Sequence, residues 1–186
     1  MAKYIRIVGG QYRRTPIDVP DVTGLRPTPD RVRETLFNWL NHLWQGEFEA
    51  KQVLDLFAGT GALGFEAASR GVAHVQMVEQ NPTAVAGLRK LRDRLKANHV
   101  RIHTGEAKYT LKRLENTRFD LICLDPPFSG GWFPSLLDDV WPLLNVDGLV
   151  YAECEHAIEP PESYIALRQG RAGAVHYQLL QRRETS

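Results

Sequence analysis

The sequence has 186 residues, long enough for one domain with a full core. Its 43% hydrophobic and 24% charged content is that of an ordinary globular chain and excludes a disordered or fibrous class. A net charge of +1 excludes a uniformly basic or acidic chain, yet residues 1–36, 89–101 and 168–183 are basic and the remainder is acidic. That distribution suits a polyanion partner, although a solvated helix face explains 89–101 equally well.

No apolar run approaches the roughly 18 residues of a membrane-spanning helix. The start, MAKYIRIVGG, lacks the apolar segment of a secretory signal. A cytoplasmic protein is therefore expected, with no membrane contact. Cys123 and Cys154 read as buried, reduced thiols. The six histidines show no ligand spacing, so no metal site is expected.

In chain order, residues 3–8 and 11–19 predict a hairpin around Gly9-Gly10. In GLRPTPDRVRETLFNWLNHL, Thr28 is the expected N-cap and Pro29 the first helical residue. Val32, Leu36, Trp39, Leu40 and Leu43 recur at helical spacing, which puts Arg31 and Arg33 near the start of an amphipathic helix. From residue 52 strands and helices alternate. Strands are expected at 52–57, 74–79, 100–104, 120–125 and 149–154. Helices are expected at 61–70, from Asn81-Pro82 through Leu95, near 107–114, and over most of 133–144. Asp147-Gly148 reads as a turn into LVYAEC, and QGRAG as the turn between two last strands near 163–168 and 174–181. Alternation of this kind predicts a parallel sheet covered on both faces, and the short last connection makes the final pair antiparallel. The expected fold is α/β: a doubly wound, mostly parallel seven-stranded sheet of Rossmann-like type. Residues 1–46 form a small hairpin-plus-helix extension and residues 47–186 the main domain, the two packed as one unit.

DLFAGTGALG carries Gly59-x-Gly61-x-x-Gly64 between a strand and a helix, and Glu79 ends the next strand. The glycines permit a tight turn and let a ligand lie on bare backbone. Glu79 can accept from both ribose hydroxyls, which points to an adenosine-type cofactor. A nicotinamide dinucleotide competes for such a loop. Asp55 favours a cation instead, because a pyrophosphate gains nothing from a carboxylate there. S-adenosylmethionine, with its sulfonium and ammonium groups, fits. The alternative is that Asp55 caps loop amides. Glu106, just past the third strand, can accept from an adenine amine, or simply complement a helix dipole.

LDPPF follows the fourth strand, which neighbours the first in a doubly wound sheet. Its prolines fix the direction of the Asp125 carboxylate and of the Pro126 carbonyl. Two acceptors aimed at one point suit an exocyclic amine, and Phe128 offers a face for stacking its base. The alternative is a strand-ending turn with a core phenylalanine.

The stretches IRIVGGQYRR, LRPTPDRVRETLFNWL, VLDLFAGTGALGFEAASRG, VEQN and LDPPF together resemble the RsmD family of class I S-adenosylmethionine-dependent methyltransferases. The resemblance covers essentially the whole chain. It implies methylation of the N2 amine of a guanine in 16S ribosomal RNA, guanine 966 of that RNA, within the assembling small subunit. It implies that Asp55, Gly59 and Gly61 hold the methionine end and that Phe57 also contacts the cofactor. Glu79 would hold the ribose, and Glu106 and Ala107 would face the adenine, where the family usually has Asp in place of Glu106; Gln80 would be a further cofactor contact. Asp125, Pro126, Pro127 and Phe128 would form the catalytic tetrad. Arg6, Arg13, Arg14, Arg26, Arg31 and Arg33 are the candidates for RNA phosphate contacts. Gly130-Gly131-Trp132 would be a lid, or an ordinary loop. A monomer is expected. Rival readings are a DNA adenine-N6 methyltransferase, a nicotinamide oxidoreductase and a non-catalytic RNA-binding protein on the same fold.

Overall fold

A computed structural model describes residues 4–128 and 131–183. Strands β1 (Tyr4–Arg6) and β2 (Pro16–Asp18) pair antiparallel, with Ile5 opposite Ile17. Helix α1 (Asp30–Leu43) follows. Then β3 (Gln52–Asp55), α2 (Ala62–Ser69), β4 (His74–Glu79), α3 (Pro82–Leu95), β5 (Val100–Thr104), α4 (Ala107–Arg113) and β6 (Phe119–Leu124) alternate. Helix α5 (Ser135–Val140), a 3-10 turn, β7 (Leu144–Cys154), β8 (Tyr164–Ala172) and β9 (Val175–Arg182) complete the chain. The main sheet has seven strands in the order β5-β4-β3-β6-β7-β9-β8. The first five run parallel, and β9 is antiparallel to both β7 and β8. The doubly wound α/β fold is thus observed.

The two-residue period of a strand divides the core into two layers. Val53, Leu121, Cys123, Leu149 and Tyr151 face one side, where they meet Leu36, Phe37 and Leu40 of α1, Phe65 of α2 and Leu88 of α3. Leu54, Ile122, Leu124, Val150 and Ala152 face the other, against Leu111 of α4 and Leu136, Leu137 and Val140 of α5. The strand order reverses between β3 and β6, where a crevice opens beyond the carboxyl ends. Asp55 there pairs with Met77 on one side and Cys123 on the other.

Several boundaries differ from expectation. Thr28 does not cap α1. Pro29 holds that position with no side-chain bond, and the Thr28 hydroxyl instead donates 2.7 Å to Glu153 Oε1. The hairpin strands are only three residues each: Ile7 still bonds Thr15 and Arg14 across the hairpin, but beyond it Val8, Gly9, Gln11 and Tyr12 turn their amides to α2. The expected turn at Asp147-Gly148 is a bulge within a longer β7, with Asp147 at φ +60°. The expected 133–144 helix shortens to α5 and the 3-10 turn. By contrast Asn81 caps α3 as expected, accepting from the Thr83 and Ala84 amides.

Glu66 of α2 explains how the N-terminal segment is seated. Its carboxylate accepts from Val8 N and Gly9 N, both at 2.8 Å, and from Arg33 Nη1 at 3.1 Å and Arg70 Nη2 at 3.0 Å. Gly10 lies so close to the end of α2 that a Cβ there would sit 1.9 Å from the Ser69 carbonyl oxygen. Gln11 N donates to that same oxygen. Arg33 spans the seam: Nε reaches Thr28 O, Nη1 reaches Arg6 O and Glu66, and Nη2 bonds Asp30. Its side chain is fully buried, at 0% exposure. This corrects the reading of Arg33 as a phosphate contact, since a sealed guanidinium cannot meet RNA.

Candidate active site

Gly59 (φ +53°) and Gly61 (φ +82°) form the turn between β3 and α2 in the left-handed region. Gly64 packs α2 onto the sheet; a Cβ there would lie 2.4 Å from Met77 Cε. Its N–H donates 2.9 Å to Asp55 Oδ2, so Asp55 does cap a helix amide. Glu79 accepts from Gly59 N through Oε2 and from Asn81 N through Oε1, both at 2.8 Å. A carboxylate offers about four lone-pair sites, so these bonds do not exhaust Glu79. Loop 20–29 reaches over the turn, and Leu25 Cδ1 would be 2.9 Å from a Cβ at Gly59.

At the edge of the crevice, Glu106 is exposed, and its side chain makes no cap bond to α4. Ala107 is buried and Gln80 exposed. Phe57 packs edge-on against Trp132, with centroids 5.1 Å apart, and Lys108 Nζ lies 5.5 Å from the centre of the Trp132 ring. Trp132 is thus fixed by packing. Gly130 of the expected lid lies outside the described residues. Pro126 is buried, Pro127 exposed and Phe128 half-buried.

Three carboxylates gather at the carboxyl ends of β3, β6 and β7. Asp55 is level with Cys123, and Cys123 with Tyr151. Two residues further on come Asp125 and Glu153, which the strand alternation directs to the same face as Asp55. Their electrostatics agree. Burial pushes the Asp55 carboxyl up to about 7, against the pull of the Gly64 N–H and with the charges of Glu79 and Glu153 adding to the rise. Burial, then the charges of Glu153 and Asp55, hold Asp125 well above the usual carboxylate range. Burial also raises Glu153, opposed by the Thr28 and Tyr151 hydroxyls. The Cys123 thiol and the Tyr151 phenol are raised well above their ordinary values, chiefly by burial and then by these same acids.

A surface of this kind favours a cation and a hydrogen-bond donor, and disfavours a pyrophosphate. S-adenosylmethionine carries two positive centres, so the acids present fit it. Glu153 and Tyr151 escaped the sequence reading. The available signal was an acid at the end of an otherwise apolar strand, in LVYAEC. Of the candidate phosphate contacts, Arg6, Arg13, Arg14, Arg26 and Arg31 are exposed. Arg94 of α3 donates 2.6 Å to Pro16 O, which brings the basic α3 against β2.

The chain is similar to known proteins along nearly its whole length. The family described as Conserved hypothetical protein 95 matches residues 5–181. Ribosomal RNA small subunit methyltransferase D of Escherichia coli is 40% identical over 187 residues, covering 96% of this chain and 90% of that protein. The protein of the same name from Haemophilus influenzae is 35% identical, covering 95% and 93%. The solved structure of yhhF from Escherichia coli superposes with a TM-score of 0.86 at 37% identity, covering 98% of this chain and 100% of that one.

Proposed function

The chain belongs to the RsmD family, and on that premise we propose that it methylates the N2 amine of a guanine in 16S ribosomal RNA, using S-adenosylmethionine. The observation that carries this reading is the set of three acids beside a glycine turn, Asp55 and Glu153 buried and Asp125 half-buried, with Asp125 leading into Pro126-Pro127-Phe128. When bound, S-adenosylmethionine supplies an electrophilic methyl group and departs as a neutral thioether. Asp55 takes the ammonium and Glu79 the ribose hydroxyls. Glu106 and the backbone at Ala107 face the adenine, and Phe57 and Gln80 are further cofactor contacts. Asp125 and the Pro126 carbonyl accept from the two amine N–H groups, which orients the nitrogen and raises its electron density. Asp125 then takes the proton the nitrogen must lose. Phe128 stacks on the base, which is turned out of its helix or loop.

Mass mapping of ribosomal RNA from cells with and without the gene tests the assignment. One N2-methylguanosine of the small-subunit RNA is expected to vanish with the gene. An unchanged modification map rejects the proposal.

Two further results are expected. Because Asp55 must be ionised to hold an ammonium, binding below about pH 7 requires a proton to leave. Affinity for S-adenosylmethionine should therefore climb with pH by up to about tenfold per unit and level off above pH 7. Asp55→Asn should bind weakly with no such slope, as read by calorimetry at several pH values. By the same linkage, the ligand-free protein should lose stability as pH rises through about 7.

The exposed arginines are proposed to meet RNA phosphates. Arg13, Arg14, Arg26 and Arg31 changed singly to alanine should each weaken RNA binding and lower the salt slope by about 1. An unaltered slope removes that residue from the interface.

A further inference from the structure

We propose that Glu153 is a positioning residue for the methylation, acting through Asp125. Fixed by the Thr28 and Tyr151 hydroxyls, it keeps a negative charge beside Asp125 and so makes Asp125 the proton acceptor. The inference rests on the amine-methylation reading and assigns a role that neither the LDPPF motif nor the glycine turn predicts.

The geometry is specific. Thr28 Oγ1 donates to Glu153 Oε1 at 2.7 Å, and Tyr151 OH donates to the same oxygen at 2.8 Å. One donor comes from the segment before α1 and the other from β7 itself. Glu153 is 4% exposed, too buried to serve as a surface charge. Two hydroxyls converging on one carboxylate oxygen stabilise the ionised form. Strand register aligns Leu124, the last residue of β6, with Ala152, so Asp125, the first residue beyond β6, follows beside Glu153 of β7. Of the charges acting on Asp125, Glu153 is foremost, ahead of Asp55. The other titratable groups of the cluster are Cys123 on β6, Tyr151 on β7 and Asp55 on β3. Each of them is neutral or anionic, and no cation enters the causes that shift them.

The chemistry needs such a partner. As the N–C bond forms and the C–S bond breaks, the amine nitrogen becomes positive. One N–H proton must leave, and its electron pair stays on nitrogen. The proton goes to an Asp125 oxygen. An ordinary aspartate is a weak base for this purpose, whereas one facing a fixed anion binds a proton more tightly. The Asp125–Glu153 pair then ends the turnover with one negative charge fewer, which balances the loss of the sulfonium charge.

The test compares Glu153→Gln, Glu153→Asp and Tyr151→Phe with the wild-type chain in three measurements. Carbon-13 NMR of the ligand-free protein follows the Asp125 carboxyl, and its titration should move down by a unit or more in Glu153→Gln. Single-turnover transfer to small-subunit RNA from cells lacking the gene should fall at least about tenfold at its plateau in Glu153→Gln. The acid limb should shift to lower pH. Glu153→Asp should restore part of the rate. Calorimetry should give cofactor affinity within about threefold of wild type in all three variants. Should Glu153→Gln fail to fold, Tyr151→Phe remains. It keeps the carboxylate and should lower the plateau several-fold without altering affinity.

An unmoved Asp125 titration with a wild-type rate profile overturns the proposal alone. A rate loss wholly accounted for by weaker cofactor binding does the same. Absence of any transfer by the wild-type chain instead overturns the methylation reading, and this role falls with it.

Discussion

Asp125→Ala is expected to lower single-turnover methyl transfer by at least about a thousandfold, because it removes both an oriented acceptor and the proton's destination. Affinity for S-adenosylmethionine should change little, since Asp55 and Glu79 are untouched. The same substitution should not destabilise the protein. Asp125 is a half-buried acid held well above its ordinary range by desolvation and by Glu153 and Asp55. At neutral pH its ionised form costs folding free energy, so its removal should leave the melting temperature at or above that of the wild type. Asp125→Asn separates the two functions: it retains an oxygen to accept from the amine but has far less basicity. Its rate should fall between those of the wild type and the alanine variant. Rapid turnover by either variant would contradict the assigned role, and thermal scans on the same samples would show whether the charge carries a stability cost.

Arg33→Met should be the most damaging single change to stability. The guanidinium is fully buried and donates to Thr28 O, Arg6 O, Glu66 and Asp30. Its loss leaves Glu66, also 0% exposed, with one cation fewer inside the protein. Breaking a buried ion pair from one side costs about 3–5 kcal/mol. In a chain of this size that corresponds to a fall in melting temperature of roughly ten degrees or more. Glu66→Gln alone should also destabilise. The double variant should lose less than the sum of the two, because neither partner is then left charged and alone. Additive losses would mean that the two groups do not act as a pair.

Much of the architecture was legible in the sequence because its signals are local. Asn81-Pro82 marks a helix start by its own chemistry, and the Asn81 side chain does accept from Thr83 N and Ala84 N. The apolar run LICL reads as a strand buried on both faces, and Ile122 and Leu124 do pack in a different layer from Leu121 and Cys123. What escaped reading depends on residues distant in sequence. Thr28 has the composition of a cap, yet a carboxylate 125 positions away claims its hydroxyl. Arg33 lies among exposed arginines in the sequence, but two residues after Arg31 on a helix the chain has turned from solvent to core. Glu66 and Ser69 sit three apart on a helix that is buried along its whole length. Their spacing marks one face, and only the fold reveals that loop 7–15 covers it. The site divides in the same way. The glycine turn, Asp55, Glu79 and Asp125 follow strand ends and are readable in order, whereas Glu153 acquires meaning only from the register of β6 against β7.

The seam around Glu66 limits how the chain can be shortened. Deleting the first two dozen residues would strip two amide donors from an acid at 0% exposure, and would uncover the groove that Gly10 fits at the end of α2. A trimmed catalytic fragment would thus keep the Arg33 and Arg70 ion pairs of Glu66 but leave that acid short of two of its hydrogen bonds. Anyone seeking a minimal version of this protein should expect an insoluble product unless that face of α2 is covered again.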